Sequence, residues 1–133
     1  MRNAFCASVV IGILNLCIGG CSFAPKPEVA AAADYGNAIT VEDMKSEADK
    51  ALVRVLKDPD SRRVEWGQAG KAWMWTGIIN GGTKYGYGLE ALVNAKNSFG
   101  GYVGSKPYFF FFQNQTMVYA GELLQNGMHG FTP

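Results

Sequence analysis

Residues that usually carry catalysis or bind metals are scarce in this chain. Among its 133 residues there are one histidine, His129, and three cysteines. A single histidine cannot form the His-rich ligand set of a metal site. A Cys-His catalytic dyad would need a free cysteine thiol in the mature protein. We expect no catalytic residue, no metal site and no cofactor, and we interpret His129 as a surface residue of the Gly-rich C-terminal tail.

An excess of charge of one sign is also lacking. The chain has 12 basic and 11 acidic residues, a net charge of +1. A nearly neutral chain has no basic field to hold nucleic acid or an anionic membrane face. The composition argues against a nucleic-acid partner and against membrane attachment through charge alone.

Long apolar runs are confined to the N-terminus. After a positively charged start, residues 4–18 carry no charge, and a Gly-Gly pair precedes Cys21. This pattern is typical of a secretory signal peptide. An uncleaved membrane span over residues 4–24 is one alternative, which the Gly-Gly pair disfavours. Ordinary cleavage after Ala24 is another, which Pro25 disfavours.

Residues 18–21, Ile-Gly-Gly-Cys, resemble the lipobox of bacterial lipoproteins. The resemblance implies that the sulfur of Cys21 receives diacylglycerol, that residues 1–20 are removed as the signal peptide, and that the new amine is acylated, for example with palmitate. It also implies a lipid-anchored protein of the cell envelope. Ser22 after the cysteine implies the periplasmic side of the outer membrane in a Gram-negative cell. A triacylated end anchors stably, whereas one acyl chain does not.

The same processing removes every free thiol. Cys6 and Cys17 leave with the signal and Cys21 carries the lipid, so no thiol is left for a disulfide, a metal or catalysis. The mature protein must then rely on an apolar core, for which about 95 residues suffice. We predict a signal peptide at residues 1–20, a tether at residues 21–37 and a single domain at residues 38–133.

One amphipathic helix is predicted from Thr40 to Lys57. Thr40 is a good N-cap, and Asp43 completes a weak capping box. Pro59 ends the helix because Asp58, the residue before a proline, avoids helical geometry. The apolar residues recur at three- and four-residue spacing and form one stripe: Val41, Met44, Ala48, Ala51, Leu52, Val55 and Leu56.

The rest of the chain is rich in Gly, aromatic and β-branched residues, which is typical of strands. We predict strands at residues 71–80, 87–95, 107–113 and 116–122, the last two joined by a two-residue hairpin turn. A helix followed by strands predicts an α+β fold, with one N-terminal amphipathic helix packed on a small antiparallel sheet of three to five strands.

Four consecutive Phe residues occupy positions 109–112. Because strand side chains alternate, Phe110 and Phe112 point to one face of the sheet, and Phe109 and Phe111 point to the other. One helix covers one face only, so the other must be covered by the chain itself, by a partner or by a second copy. We favour covering by the chain itself, since large exposed apolar patches are rare on monomers.

Two motifs, LKDPDSRRVEW at residues 56–66 and VNAKNSFGGYVG at residues 93–104, resemble those of small exported bacterial proteins of uncharacterised function. The resemblance covers these two stretches and implies no activity. Many members carry Cys-Gly before the second motif. This chain has Glu90-Ala91-Leu92 there, so no role of that thiol carries over.

The second motif supplies the candidate binding residues Asn94, Lys96, Asn97 and Tyr102. In one interpretation they hold a polar ligand, such as a glycan or a peptide end, at the end of a strand. In the other, Asn97 and Ser98 cap the turn through their own backbone, while Phe99 and Tyr102 pack on the sheet. The second interpretation is favoured because turn chemistry alone commonly produces Asn-Gly-aromatic loops.

We expect a non-catalytic binding or assembly module of the envelope, whose partner is a protein or a cell-wall component. The uncovered sheet face also leaves a homo-oligomer open. One alternative is an envelope enzyme that uses Glu90 and Glu122 as a carboxylate pair on glycan, and another is a passive structural lipoprotein. Nothing in the sequence places the two carboxylates near each other.

Overall fold

The computed structural model describes residues 24–123 and 128–133. This part of the chain has the predicted α+β fold, with a helix packed on one antiparallel sheet of five strands in the order β4-β3-β2-β1-β5. The helices are α1 (Pro27–Ala32) and α2 (Val41–Val55). The strands are β1 (Arg63–Trp75), β2 (Thr83–Asn94), β3 (Lys106–Gln113), β4 (Thr116–Glu122) and β5 (His129–Phe131).

Helix α2 begins where the sequence predicts. Thr40 Oγ1 accepts a hydrogen bond from the backbone N of Asp43 at 3.1 Å. Val41 and Val55, two predicted members of the apolar stripe, are exposed because they lie at the helix ends. The prediction of an N-terminal position is wrong, since α1 precedes α2 and starts at Pro27, a residue suited to a first turn. The helix buries Met44, Ala48, Ala51 and Leu52.

The first strand differs most from its prediction. The sequence predicts residues 71–80, whereas β1 spans Arg63–Trp75 and Ile78–Asn80 form a short 3-10 turn. The strand starts earlier because its exposed charged residues alternate with apolar ones that pack against the core. It ends earlier because Gly77, with φ of 87°, and Gly81, with φ of 93°, reverse the chain.

The predicted two-residue turn between β3 and β4 is confirmed. Asn114 and Gln115 both have positive φ, 48° and 65°, as a type I′ hairpin turn requires. The same turn holds the segment before α2. Asn114 Oδ1 accepts a hydrogen bond from the backbone N of Asn37 at 3.0 Å, and Gln115 Nε2 donates to the carbonyl O of Ala38 at 2.9 Å.

Part of the segment assigned to the tether, residues 21–37, packs on the sheet. The buried ring of Tyr35 meets the ring of Tyr85 edge-on at 5.6 Å between centres, and Lys71 Nζ lies 4.8 Å from the centre of the Tyr35 ring. The Tyr35 hydroxyl donates to the carbonyl O of Ala30, which is also buried. The docked part of the segment therefore covers the sheet beside α2.

All four Phe residues of β3 are buried, two on each face of the sheet. Phe110 and Phe112 belong to the larger core cluster, together with the buried residues of α2. The prediction that the chain covers both faces itself is confirmed. The second cluster consists of Phe109, Phe111 and Ala72, flanked by Met74, Leu123 and Phe131.

The second cluster closes because the sheet curls. Phe109 of β3 and Phe131 of β5 meet edge-on with ring centres 6.0 Å apart, although β2 and β1 lie between their strands. A Cβ on Gly88 of β2 would lie 2.8 Å from Ala72 Cβ and 2.9 Å from the Phe109 ring, and one on Gly86 would also collide with its neighbours. The Phe rings thus occupy the space that β2 side chains would otherwise take.

We predict that Gly88→Ala lowers the free energy of unfolding by about 1–3 kcal/mol, because the new methyl group overpacks the contact between Ala72 and Phe109. Thermal or urea denaturation followed by circular dichroism measures the change. Gly101→Ala is the matched control, since a Cβ there would have 3.9 Å to its nearest neighbour. Equal stability of the two variants would contradict the packing described for the second cluster.

Candidate functional site

The two motifs described above meet at one end of the sheet. The Ser61 hydroxyl, in the turn after α2, donates to the carbonyl O of Asp58 at 2.8 Å. The same hydroxyl oxygen accepts a hydrogen bond from the backbone N of Lys96 at 2.8 Å. The carbonyl O of Ser61 accepts one from the Tyr102 hydroxyl at 2.9 Å. One serine of the first motif thus binds both sides of the second.

An ion pair fixes the turn after α2 to that helix. Arg62 Nε and Nη2 donate to the two carboxylate oxygens of Asp49 at 2.8 and 2.7 Å, and Nη1 donates to the carbonyl O of Pro59 at 2.7 Å. An ion pair with two hydrogen bonds fixes the relative orientation of the two side chains in addition to pairing their charges. The hydrogen bonds from Arg62 hold the pKa of the Asp49 carboxyl below its ordinary value.

Asn97 closes the turn that opens the loop of residues 97–104. Its Oδ1 accepts hydrogen bonds from the backbone N of Phe99 at 2.9 Å and of Gly101 at 3.1 Å. Its backbone N donates to the carbonyl O of Gly101 at 2.9 Å, and Gly100, with φ of 79°, permits the reversal. Asn97 therefore caps the turn, as the second interpretation of the motif predicts.

Phe99 lies at the tip of this loop with 97% of its surface exposed. The prediction that Phe99 packs on the sheet is wrong, because the bonds to Asn97 turn the backbone so that residue 99 points outward. Tyr102 and Val103 of the same loop are also exposed. The loop presents apolar surface on a turn whose backbone is fixed.

Two cations share the ring of Tyr102. Arg63 Cζ lies 4.5 Å and Lys96 Nζ lies 5.8 Å from the ring centre. Lys96 and Tyr102 also pair as an isolated β-bridge, so these two predicted site residues lie side by side. Neither cation forms an ion pair within the part of the chain that the structure describes. The base of the loop that carries Phe99 therefore holds two positive charges.

The other two predicted site residues play separate parts. Asn94 lies at the end of β2, opposite Arg63 of β1, and its Oδ1 is buried without a hydrogen-bond partner among the described residues. The side-chain oxygens of Asn97 and Tyr102 are engaged in the bonds that shape the loop. The charged ends of Lys96 and Arg63 lie over the Tyr102 ring and are not used in the bonds that shape the loop.

Ser61 and Arg63 were not predicted from the sequence to be part of this site. An Asp-Pro-Asp-Ser stretch is a clear turn signal. Nothing in that signal shows which loop the turn contacts, since 35 positions separate Ser61 from Lys96 and 41 separate it from Tyr102. The resemblance that grouped the two motifs was the one sign that they belong together.

Glu90 and Glu122 lie on opposite faces of the sheet. Glu90 is paired in register with Phe109, and Glu122 is paired with Tyr108, the preceding residue of β3. Burial raises the pKa of Glu90, which lines a cleft of ≈ 480 Å³. Glu122 binds Lys106 at 3.0 Å and does not line that cleft. The two carboxylates therefore do not flank a common cleft, as glycoside hydrolysis would require.

The interpretation of His129 as a surface residue of the tail is wrong. His129 lies in β5 opposite Met74, with its ring centre 4.5 Å from that of Phe109, because the last residues of the chain pair with β1. Burial lowers the pKa of the imidazole. Within residues 24–123 and 128–133, no three His, Cys, Asp or Glu side chains come together as a metal site.

Cys21, the predicted site of lipid attachment, lies outside the described residues. None of the helices in the described ranges has the length and apolar character needed to cross a membrane. Comparison of the chain with protein-family models, with curated proteins and with solved structures gives no significant match. Function must therefore be inferred from the residues of this chain.

We predict that acid weakens the link between α2 and the turn that follows it. Because the pKa of Asp49 is lower in the folded state, its stabilisation is present above the unfolded pKa of about 3.9 and is lost as the pH falls through the folded value. The difference in melting temperature between the wild type and Asp49→Asn should therefore shrink between about pH 7 and about pH 2.

Glu47→Gln is the matched control for this measurement. It removes the pair with Lys50, in which both side chains are largely exposed, and such pairs contribute little to stability. A difference between wild type and Asp49→Asn that stays constant over the whole pH range would contradict the role given to the Arg62–Asp49 pair.

Proposed function

We propose that this protein is a lipid-anchored binding module of the bacterial cell envelope that recognises a protein partner with Phe99 and the loop of residues 97–104. The lipid on Cys21 would hold it in the membrane, and it would act without catalysis. The observation that carries the proposal is the near-complete exposure of Phe99 on a turn whose backbone is fixed by hydrogen bonds.

An exposed aromatic side chain on a fixed turn is suited to binding. Transferring one Phe side chain from water into an apolar pocket is favourable by about 1.5–3 kcal/mol. The bonds of Asn97, and the bond from Tyr102 to Ser61, already order the loop, so binding would lose little conformational entropy. Few side chains are needed, because a small number of anchors supplies most of the affinity in protein interfaces.

The surroundings of Phe99 indicate the chemistry of the partner. Arg63 and Lys96 stack on Tyr102 beside the loop and have no carboxylate partner among the described residues. Aromatic residues and arginine are enriched in protein interfaces. The proposed partner is an envelope protein with an apolar pocket and acidic residues around its rim. Complementary charge of this kind raises the rate and specificity of association.

Two features favour binding over catalysis on envelope glycan. Glu90 and Glu122 face opposite sides of the sheet. The side-chain oxygens of Asn97 and Tyr102, which would otherwise contact a sugar, are engaged in holding the loop. Phe99 is then the most exposed large apolar side chain at this end of the sheet.

The lipid anchor is proposed from residues 18–21 alone. The lipobox resemblance implies diacylglycerol on Cys21, and Ser22 favours the periplasmic side of the outer membrane. We predict that Cys21→Ser abolishes acylation and leaves the precursor with its signal peptide. Intact-mass measurement of the protein from a bacterial membrane fraction checks this, and a wild-type protein without lipid would contradict the anchor.

We predict that Phe99→Ser weakens binding of the partner about 10- to 100-fold, as expected from losing about 1.5–3 kcal/mol of apolar burial. The partner is first captured from detergent-solubilised envelopes with the wild type, identified by mass spectrometry, purified and titrated. The melting temperature should not change, because the Phe99 side chain has almost no contact with the protein.

Ile79→Ser is the matched control, since Ile79 is 99% exposed at the opposite end of the sheet. It should bind the partner as the wild type does. Equal affinity of Phe99→Ser and the wild type would refute the role of the loop. Failure to capture any partner with the acylated wild type would favour a passive structural lipoprotein instead.

A further inference from the structure

The tip of the β1–β2 hairpin, residues 76–82, holds two apolar side chains away from the protein. Ile78 is 86% exposed and Ile79 is 99% exposed. The backbone of the tip is fixed, because Thr76 Oγ1 donates to the carbonyl O of Gly82 at 2.9 Å and Asn80 Nδ2 donates to the carbonyl O of Thr76 at 3.1 Å. The two isoleucines therefore project into solvent from a turn whose backbone conformation is fixed by hydrogen bonds.

The part of the hairpin next to this tip, residues 67–88, contains no acidic residue. Lys71 and Lys84 are the only charged residues between positions 66 and 89. The ring of Trp75 covers Gly82 at the base of the tip, where a Cβ would lie 3.2 Å from the ring. Apolar side chains at the tip, a tryptophan at its base and lysines further back match the successive layers of an anionic bilayer surface.

The N-terminal segment is docked at the same end of the sheet. Val29 and Ala32 of α1 line a cleft together with Tyr85, which lies near the start of β2. The chain from Cys21 to Pro27 spans at most about 20 Å even when fully extended. A lipid on Cys21 would therefore keep this end of the sheet close to the bilayer.

We infer that Ile78 and Ile79 insert into the interfacial region of the leaflet that carries the lipid on Cys21, so that the protein contacts the membrane at two points. The inference rests on the proposed lipid anchor. Because the anchor confines the tip near the surface, the insertion needs to supply only a small favourable free energy. Two isoleucines without an anchor would bind a bilayer only marginally.

The second contact also fixes how the sheet stands on the membrane. Strand β2 has 12 residues and rises about 3.3 Å per residue, so its far end lies roughly 35–40 Å from the hairpin tip. The loop of residues 97–104 follows that far end. The surface proposed to bind a partner is then directed away from the bilayer.

Site-directed spin labelling tests the inference on the full, acylated chain. The mature sequence has no cysteine besides Cys21, so a nitroxide can be attached at Ile79→Cys alone or at Phe99→Cys alone. The two sites are matched in exposure. Each labelled protein is placed in vesicles of phosphatidylethanolamine and phosphatidylglycerol, and its collisions with oxygen and with a water-soluble nickel complex are measured.

The label at position 79 should be shielded from the nickel complex and accessible to oxygen, while the label at position 99 should show the opposite. Equal access of nickel to both labels, on protein whose acylation is verified by mass, would overturn the inference and leave the anchor intact. Protein that proves not to be acylated would instead overturn the proposed function, and the inference with it.

Two further variants separate the bilayer from other causes of shielding. Replacing the neighbour, Ile78→Ser, should reduce the shielding of the label at position 79. Unchanged shielding would mean that the nitroxide label, and not the isoleucine side chains, partitions into the bilayer. That result would overturn the inference. A Cys21→Ser chain that begins at residue 21 carries neither the signal peptide nor the lipid, and it has no other cysteine. Shielding of the same label in this chain without vesicles would indicate contact with a second copy and would overturn the inference equally.

Discussion

The packing of Phe109 and Phe111 against a strand that has glycine beneath them is the contact on which this structure depends. A sheet with bulky residues on both faces must be covered on both faces, and residues 24–123 and 128–133 contain one long helix. Gly86 and Gly88 have no side chains, which leaves room for the Phe109 and Phe111 rings. The sheet can then curl, so that Phe131 of the last strand contacts Phe109. The other face is left to α2 and to the docked segment around Tyr35.

This arrangement leaves the most exposed apolar side chains at the ends of the strands. Both faces of β3 are covered by the protein itself. The three most exposed large apolar side chains lie on connections, Ile78 and Ile79 at one end and Phe99 at the other. Each connection is held by side-chain hydrogen bonds to its own backbone. The tip proposed to contact the membrane and the loop proposed to bind a partner therefore lie at opposite ends of one hairpin.

How much the sequence predicted depended on whether the signal was local. The Thr40 cap and the Asn114-Gln115 turn are decided by a few neighbouring residues, and both were predicted. The start of β1 was missed because pairing with β2 decides it, and Tyr35 was missed because its partners Lys71 and Tyr85 are distant in the chain. At the candidate site, the turn at Asn97 was predictable, whereas the contacts of Ser61 and the outward direction of Phe99 required the fold.

The bonds of the β3–β4 turn to Asn37 and Ala38 have a mechanical consequence for a chain held at its N-terminus. A pulling force would reach the sheet through these two hydrogen bonds and the Tyr35 contacts, which are few compared with the strand ladders. They should yield first. Release of residues 24–39 would add up to about 50 Å of extended chain between the N-terminus and the sheet. The docked segment would therefore let the protein lengthen under a pulling force while the sheet stays folded.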